Sequence, residues 1–210
     1  PGGAASGVWK RKGVAELTKL ALIGAGAWGR NLLRNLTHLR DAELVMCCDT
    51  DNDRCASMVN GFRGITVCAD PEQALRSDEV EAVVIATPAI THYELASRAM
   101  RAGKDVFVEK PMTLSLDDAE RLVRLAESEK RVLMVGHLLE YHPAVERMKE
   151  LLESGEIGQP YYIYSERVNL GKIRSDENAL WSFAPHDISV ILCLLEEEPV
   201  EVAARGAAYI

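Results

Sequence analysis

A glycine-rich segment near the start of the chain has the residue types and spacing of a phosphate-binding turn. Gly24, Gly26 and Gly29 follow the pattern G-x-G-x-x-G, directly after an apolar run and before a helical pattern. Glycine at these positions permits a tight turn, close approach of a pyrophosphate to the backbone, and close packing of helix on strand. We include the loop residues Ala27 and Trp28 in the predicted cofactor site. A plain tight turn is the alternative interpretation.

An aspartate supports the dinucleotide interpretation. Asp49 ends the next apolar run about 20 residues after Gly29, the separation at which an acidic residue accepts hydrogen bonds from the adenine ribose. It could instead cap a helix. A 2′-phosphate would meet this carboxylate together with Asp51 and Asp53, so we predict NAD as the cofactor. Arg54 keeps NADP as the less favoured alternative.

Two further apolar runs end in residues that suit a binding edge. Thr87 and Pro88 follow one run and lead to His92, and Glu109 and Lys110 follow the other, before a proline. Open α/β sheets bind ligands at the carboxyl ends of their strands, so these five residues join the predicted cofactor site. We interpret His92 mainly as a helix-start residue. An ordinary surface turn is the alternative for the charged pair.

A histidine and an aspartate lie side by side late in the chain. His186 and Asp187 follow Pro185 at the start of an apolar run. Proline suits the first turn of a helix, so we predict that a helix begins at Pro185 and holds both residues in its first turn. The positive end of the helix would keep His186 neutral and able to take a proton. Neighbours on a helix diverge by about 100°, so Asp187 should orient His186 poorly.

The elements that must position these residues alternate in type. Short apolar runs of strand length are separated by helical patterns, and the runs cover residues 19–23, 43–47, 82–86, 105–108 and 131–135. Near-continuous hydrophobicity is typical of strands covered on both faces. The rhythm therefore predicts an α/β fold with a doubly wound parallel sheet of the Rossmann type.

The pattern changes after Gly136. A helix is predicted over residues 143–154, and strand-like segments over 161–168 and 199–210. We predict a second α/β domain with a mainly antiparallel open sheet, of which only the first part is present. The predicted division is a flexible tail over 1–17, a Rossmann domain over 18–136, and a substrate and oligomerisation domain over 137–210.

Composition disfavours several classes of function. The net charge of −8 argues against nucleic acid or an anionic membrane as the main partner. No apolar run reaches the about 18 residues that suggest a membrane span. The five cysteines are odd in number and show no C-x-x-C spacing, so we expect reduced thiols in a cytoplasmic protein and no metal site.

Several segments, taken in order, resemble one known family. "GAGAWG", "IATPAITHYELASRAMRAGKDVFVEKPMTLSLDDAERL", "HLLEYHPAV", "SGEIGQP" and "APHD" are similar to the Gfo/Idh/MocA family of nicotinamide-dependent oxidoreductases, which act largely on sugars and cyclitols. The resemblance runs from about residue 18 to the end. The closing stretch is further similar to members that act on sugar nucleotides. A dehydrogenase or reductase of a free sugar or inositol is the alternative, and a cofactor-binding fragment without turnover is the third possibility.

The resemblance also implies roles for individual residues. Lys110 matches the family's active-site lysine and His186 its active-site histidine, whereas Ser182 stands where many members have aspartate. The implied reaction moves a hydride between a ring carbinol carbon and nicotinamide. His186 takes the hydroxyl proton and Lys110 orients the hydroxyl, or the two roles are exchanged. The candidate substrate contacts are Lys110, Tyr141, Arg167, Asn169, Lys172, Arg174, His186 and Asp187.

Family members normally continue well past residue 210. We therefore expect this chain to bind NAD, to turn over poorly, and to form a homo-oligomer through its second domain.

Overall fold

The computed structural model describes residues 17–168 and 178–207. The chain separates into two compact units, Pro1–Gly136 and His137–Ile210. Three predicted substrate contacts, Asn169, Lys172 and Arg174, and almost all of the predicted N-terminal tail lie outside the described residues.

The first unit alternates strands and helices. Its strands are Thr18–Ile23 (β1), Ala42–Cys48 (β2), Thr66–Cys68 (β3), Ala82–Ile85 (β4), Asp105–Val108 (β5) and Leu133–Val135 (β6). Its helices are Ala27–Leu36 (α1), Asn52–Val59 (α2), Glu72–Arg76 (α3), His92–Arg101 (α4) and Leu116–Glu129 (α5), with a 3₁₀ turn at Ala89–Thr91.

The six strands form one parallel sheet in the order β3-β2-β1-β4-β5-β6. The order reverses between β1 and β4, and ligands of doubly wound sheets bind in the crevice beyond the carboxyl ends of such a strand pair. The prediction of a doubly wound parallel sheet is confirmed. Gly24 follows β1 and Thr87 follows β4, so both lie at this switch point.

The sheet is covered on both faces, as the apolar runs predict. Along β1, Ala21 and Ile23 belong to one buried cluster, and Leu20 and Leu22 belong to the cluster on the opposite face. Successive side chains of a strand point to opposite faces, which explains this division. Packing on both faces holds the strands in place, and with them the strand ends where the candidate site lies.

One strand and one pair of cysteines depart from the predictions. Strand β3 was missed, because three residues give too short a run to recognise. The parallel register places Cys48 opposite Cys68, and the two form a disulfide with a Cα–Cα distance of 4.7 Å. The expectation that all thiols are reduced is therefore wrong for this pair. Without β3 the sequence offered no reason to pair them.

The second unit contains two α-helices and one short 3₁₀ helix in its described part. A short 3₁₀ helix, Leu138–Tyr141, precedes Pro143–Glu153 (α6), and Ala179–Leu195 (α7) follows later. His142 caps α6 by accepting the Ala144 N–H, with proline as the first helical residue. Among the described residues, no helix has both the length and the apolar character needed to cross a bilayer.

Two predictions about the second unit are wrong. Helix α7 begins at Ala179, where Asn178 accepts the Trp181 N–H, so Pro185 lies inside the helix and His186 is not in a first turn. The helix-end argument for a neutral His186 therefore fails. The described parts of the predicted strands, 161–168 and 199–207, carry no ladder, because a strand requires a hydrogen-bonded partner.

Candidate functional site

Two of the three loop glycines hold the turn and the helix close to the sheet. Gly24 has φ of +110°, and a Cβ there would lie 2.6 Å from the Ala86 carbonyl oxygen at the end of β4. A Cβ on Gly29 would lie 2.0 Å from the Gly24 carbonyl oxygen. Both distances are far below van der Waals contact. The turn and the α1–β1 packing therefore require glycine at both positions.

Gly26 serves a different purpose. It is the residue before α1, and a Cβ built there meets nothing within 4 Å. Among the residues that the structure describes, no side chain caps the amino end of α1, and the first turn of this helix has no acidic residue. The free N–H groups and the positive end of the helix dipole therefore face open space, which is the arrangement that receives a phosphate.

Asp49 lies opposite this helix end. Its carboxylate accepts the Ala25 N–H at 2.6 Å and the Asp51 N–H at 2.8 Å, and it pairs with Arg54 at 2.5 Å. Burial favours the neutral acid, but these N–H groups and the Arg54 guanidinium hold the pKa of the Asp49 carboxyl below its ordinary value. Asp49 is thus an ionised acceptor fixed at the cleft.

A cleft of about 600 Å³ connects these groups. Its lining includes the predicted residues Gly24, Gly26, Asp49, Thr87 and Pro88. The lining also contains residues that the sequence interpretation missed, namely Arg54 as a wall residue, Pro71, Glu94, Leu95 and Arg98. Pro71 follows β3, so recognising that strand would have pointed to it by the same strand-end rule. The residues of α4 gave no comparable signal.

The glycine turn is joined to the strand-end charges by one hydrogen bond. The Trp28 indole N–H donates to the Glu109 carboxylate, although Trp28 itself is 44% exposed. Glu109 is 8% exposed, and burial raises the pKa of its carboxyl, opposed by the Trp28 and Lys110 N–H groups. Trp28 and Glu109 were each predicted as cofactor residues, but no sequence pattern indicated their contact.

Gly136 explains how the Glu109 carboxyl is accommodated. A Cβ at this position would lie 3.1 Å from three atoms of that carboxyl group. The Gly136 N–H also donates to the Val108 carbonyl oxygen, so its backbone is fixed beside β5. A side chain at residue 136 would displace Glu109.

The remaining predicted residues of the first unit occupy distinct places. Ala27 and Trp28 open α1, and Lys110 directly follows Glu109 in the turn after β5, where the Lys110–Pro111 peptide is cis. His92 is the first residue of α4, as predicted, but it is 1% exposed and its ring contacts backbone carbonyl groups. His92 is therefore enclosed by backbone groups and does not line the cleft.

The predicted substrate residues of the second unit show one well-defined cluster. Arg167 donates two hydrogen bonds to the Asp187 carboxylate, at 3.0 and 2.9 Å, and Ser165 donates a third at 3.0 Å. Arg167 and the Ser165 hydroxyl hold the pKa of the Asp187 carboxyl below its ordinary value, against the effect of burial. His186 lies partly buried on α7 beside this cluster, and Tyr141 is 63% exposed.

Comparison with known proteins places the chain in a family. Residues 18–137 match the family model GFO_IDH_MocA, described as an oxidoreductase family with an NAD-binding Rossmann fold. This protein belongs to the Gfo/Idh/MocA family. The predicted family is confirmed, and the first unit is the NAD-binding Rossmann domain of that family.

Individual family members show the range of relatives. The chain is 32% identical over 194 residues to UDP-N-acetylglucosamine 3-dehydrogenase of Acidithiobacillus ferrooxidans, covering 91% of this chain and 59% of that protein. It is 32% identical to inositol 2-dehydrogenase 3 of Saccharopolyspora erythraea, covering 87% and 55%.

A solved relative is similar in fold. It is a 3-ketoreductase from Actinomadura kijaniata in complex with TDP-benzene and NADP, with a TM-score of 0.63 and 29% identity, covering 68% of this chain and 44% of that one. The chain thus spans roughly half of each of these family members.

Proposed function

We propose that this chain contains the cofactor-binding part and the first portion of the substrate part of an NAD-dependent dehydrogenase acting on a sugar ring hydroxyl, with a sugar nucleotide as the substrate class. The observation that carries the proposal is the open space at Gly26, where the uncapped end of α1 faces the cleft opposite ionised Asp49. A pyrophosphate and a ribose are the groups that this pairing of donors and acceptor suits.

Different residues at the cleft would bind different parts of the cofactor. The N–H groups at the start of α1 would bind the pyrophosphate, and Asp49 would accept hydrogen bonds from the adenine ribose. Thr87 and Pro88 form the wall at the end of β4. Glu109 and Lys110, at the end of β5, would border the nicotinamide half.

Preference for NAD over NADP follows from charge. Arg54 is paired with Asp49 at 2.5 Å and Asp51 at 3.5 Å, so its positive charge is already neutralised. A 2′-phosphate would add two negative charges beside these carboxylates. NADP binding would require Arg54 to leave the two carboxylates and pair with the 2′-phosphate. This alternative stays open, because one solved relative contains NADP.

The chemistry assigned to the chain's own groups is proton transfer and orientation. Bound nicotinamide would supply the hydride acceptor. His186 would take the proton of the substrate hydroxyl, and Lys110 would orient that hydroxyl and stabilise its developing negative charge. Arg167 and Asp187 bind each other, so we assign them the positioning of the His186 segment, with substrate contact as the alternative.

Two kinds of relative favour different substrates. The match to UDP-N-acetylglucosamine 3-dehydrogenase favours a sugar nucleotide, and the equal identity to inositol 2-dehydrogenase 3 favours a cyclitol as the second candidate. A cofactor-binding protein without turnover is the third. Self-association through the second unit is also proposed, because Tyr161, Tyr162 and Tyr164 are 96%, 86% and 76% exposed.

One experiment separates these proposals. The 210-residue chain is titrated with NAD and NADP by calorimetry, and a version of family length is then assayed with UDP-sugars, free sugars and inositols by the absorbance of reduced cofactor. We expect NAD to bind more tightly and UDP-sugars to be oxidised fastest. Binding without turnover of any substrate would leave the non-catalytic interpretation, and faster inositol oxidation would favour the second candidate.

A further inference from the structure

His92 lies where the two binding turns of the first unit meet. It is the first residue of α4 and is 1% exposed. Its ring lies between the turn after β4, which carries Thr87, and the turn after β5, which carries Lys110 and Pro111. The first turn lines the cleft, and the second holds the lysine assigned to the reaction.

Both ring nitrogens of His92 face acceptors. Nδ1 lies 2.8 Å from the Pro111 carbonyl oxygen, and Nε2 lies 2.8 Å from the Thr87 carbonyl oxygen. A carbonyl oxygen only accepts, and a neutral imidazole has a single N–H. A neutral ring would therefore press one nitrogen lone pair against a carbonyl oxygen inside the core, where an unsatisfied polar group is costly.

We propose that His92 carries a proton on both nitrogens and that the imidazolium donates to both carbonyl oxygens, tying the two turns together. His92 is then a positioning residue, because it sets Thr87 relative to Lys110 without touching the cofactor. This role in binding rests on the proposed function. The double protonation rests on the two contacts alone.

A buried cation needs a compensating charge, and we assign that role to Glu109. This carboxyl is 8% exposed on the turn after β5, and the charge of His92 opposes the effect of burial on the Glu109 pKa. Lys110 is its neighbour on the same turn. On α4 itself, Glu94 is paired with Arg98 at 3.1 Å. Trp28 donates to the same Glu109 carboxylate, so the glycine turn joins this network.

The ring state can be observed directly. The chain has five histidines, so ¹⁵N-histidine labelling followed by long-range ¹H–¹⁵N correlation spectra near neutral pH gives a readable set of signals. Replacing each of the other histidines in turn assigns His92. We expect protons on both of its nitrogens. A single protonated nitrogen, in either tautomer, would overturn the proposal, and no variant of His92 has to fold for this measurement.

A second measurement tests the positioning role. His92→Gln removes the charge, and one amide group cannot donate to both carbonyls from the ring's two positions, so we expect NAD affinity to fall about tenfold or more, the loss of one charge-assisted hydrogen bond. His38→Gln is the matched control, because His38 is exposed after α1, and it should bind NAD normally.

The outcomes remain distinguishable. Unchanged NAD affinity in a folded His92→Gln variant would overturn the positioning role. If the unmutated chain itself fails to bind NAD, the proposed function fails, and the ring signals still decide whether His92 is doubly protonated.

Discussion

The two units hold their candidate residues in different ways. We call the turns after β1, β2, β4 and β5 the cofactor edge. The side chains of Asp49, Glu109 and His92 are buried there and bonded to backbone groups of these turns. In the second unit, the Arg167–Asp187 pair joins an irregular segment to a helix through side chains alone, both of them partly exposed. Hydrogen bonds to backbone groups are set by the fold, whereas the strength of a contact between two side chains depends on how far solvent reaches it.

The first unit also buries more side chains than the described part of the second unit. The first unit has two apolar cores with many fully buried side chains, whereas only Val145 and Ser189 are buried among the described residues of the second. Residues of α6, α7 and the segment between them line an apolar cavity of about 540 Å³. The cofactor edge therefore rests on two well-packed cores, whereas the described part of the second unit encloses an apolar cavity.

The largest effect should come from Lys110 and His186, the two residues proposed to act on the substrate hydroxyl. In a version of family length, Lys110→Ala and His186→Ala should each lower turnover by about 10²–10⁴-fold, the usual contribution of positioned proton transfer. NAD affinity should persist in His186→Ala, since cofactor binding belongs to the first unit. Steady-state kinetics and calorimetry measure both quantities, with exposed His38→Ala as control. Turnover close to normal in either variant would reassign that residue.

The glycine turn offers a sharp internal contrast. Gly29→Ala places a methyl group 2.0 Å from a backbone oxygen and should lower the free energy of unfolding by about 3 kcal/mol or more. Gly26→Ala enters open space, so the fold should stay intact, while NAD affinity should fall at least about tenfold because the methyl group would occupy the proposed phosphate position. Urea unfolding and calorimetry on both variants give the comparison. Equal destabilisation by the two substitutions would contradict it.

Removing the ribose acceptor should change cofactor choice. Asp49→Ala is expected to weaken NAD about 10–100-fold, as for a lost charge-assisted hydrogen bond, and to relieve the penalty on NADP by freeing Arg54. Asp53→Ala, at an exposed position on α2, serves as the control. Titration with both cofactors measures the ratio. Tighter binding of NADP than of NAD by the unmutated chain would refute the assignment.

The sequence predicts the strands and turns of the first unit more closely than the elements of the second unit, for a physical reason. Gly24, Gly26, Gly29 and Asp49 act through local turns and strand ends, which periodicity locates. The Trp28–Glu109 bond joins residues far apart in the chain, and only the sheet order brings them together. Pairing across a sheet cannot be deduced from either segment alone.

The start of α7 was predicted wrongly because two local signals competed. Proline at 185 suggested a helix start, but Asn178 provides a capping side chain earlier, and the helix tolerates the missing N–H of Pro185. The sequence contained both signals, and their relative strength depends on packing. The segments at 161–168 and 199–207 needed partners to become strands, and no local pattern supplies those.

The buried carboxyl of Glu109 should make the stability of the cofactor edge depend on pH. Burial raises the pKa of its carboxyl above the ordinary 4.5, so the folded state disfavours the charged form. Stability from this group is therefore greatest at low pH and falls as pH rises from 4.5 through the raised value. Glu109→Gln keeps an acceptor for Trp28 and should remove that fall. Urea unfolding of both proteins across this range measures it, and parallel curves would contradict the prediction.

The smallest effect should come from the side-chain pair of the second unit. Asp187→Asn weakens the contacts with Arg167 and Ser165, and since both partners are partly exposed, we expect a loss of about 0.5–1 kcal/mol. Arg167 holds the pKa of Asp187 below the ordinary 3.8, so this stability is present above that value and disappears as pH falls through the lowered one. Arg147→Gln breaks the more exposed Arg147–Glu150 pair on α6 and should change little. Urea unfolding of the three proteins at neutral and acidic pH decides the point: a loss as large as that of Gly29→Ala would show that these side-chain contacts stabilise the protein as much as the backbone packing of the glycine turn.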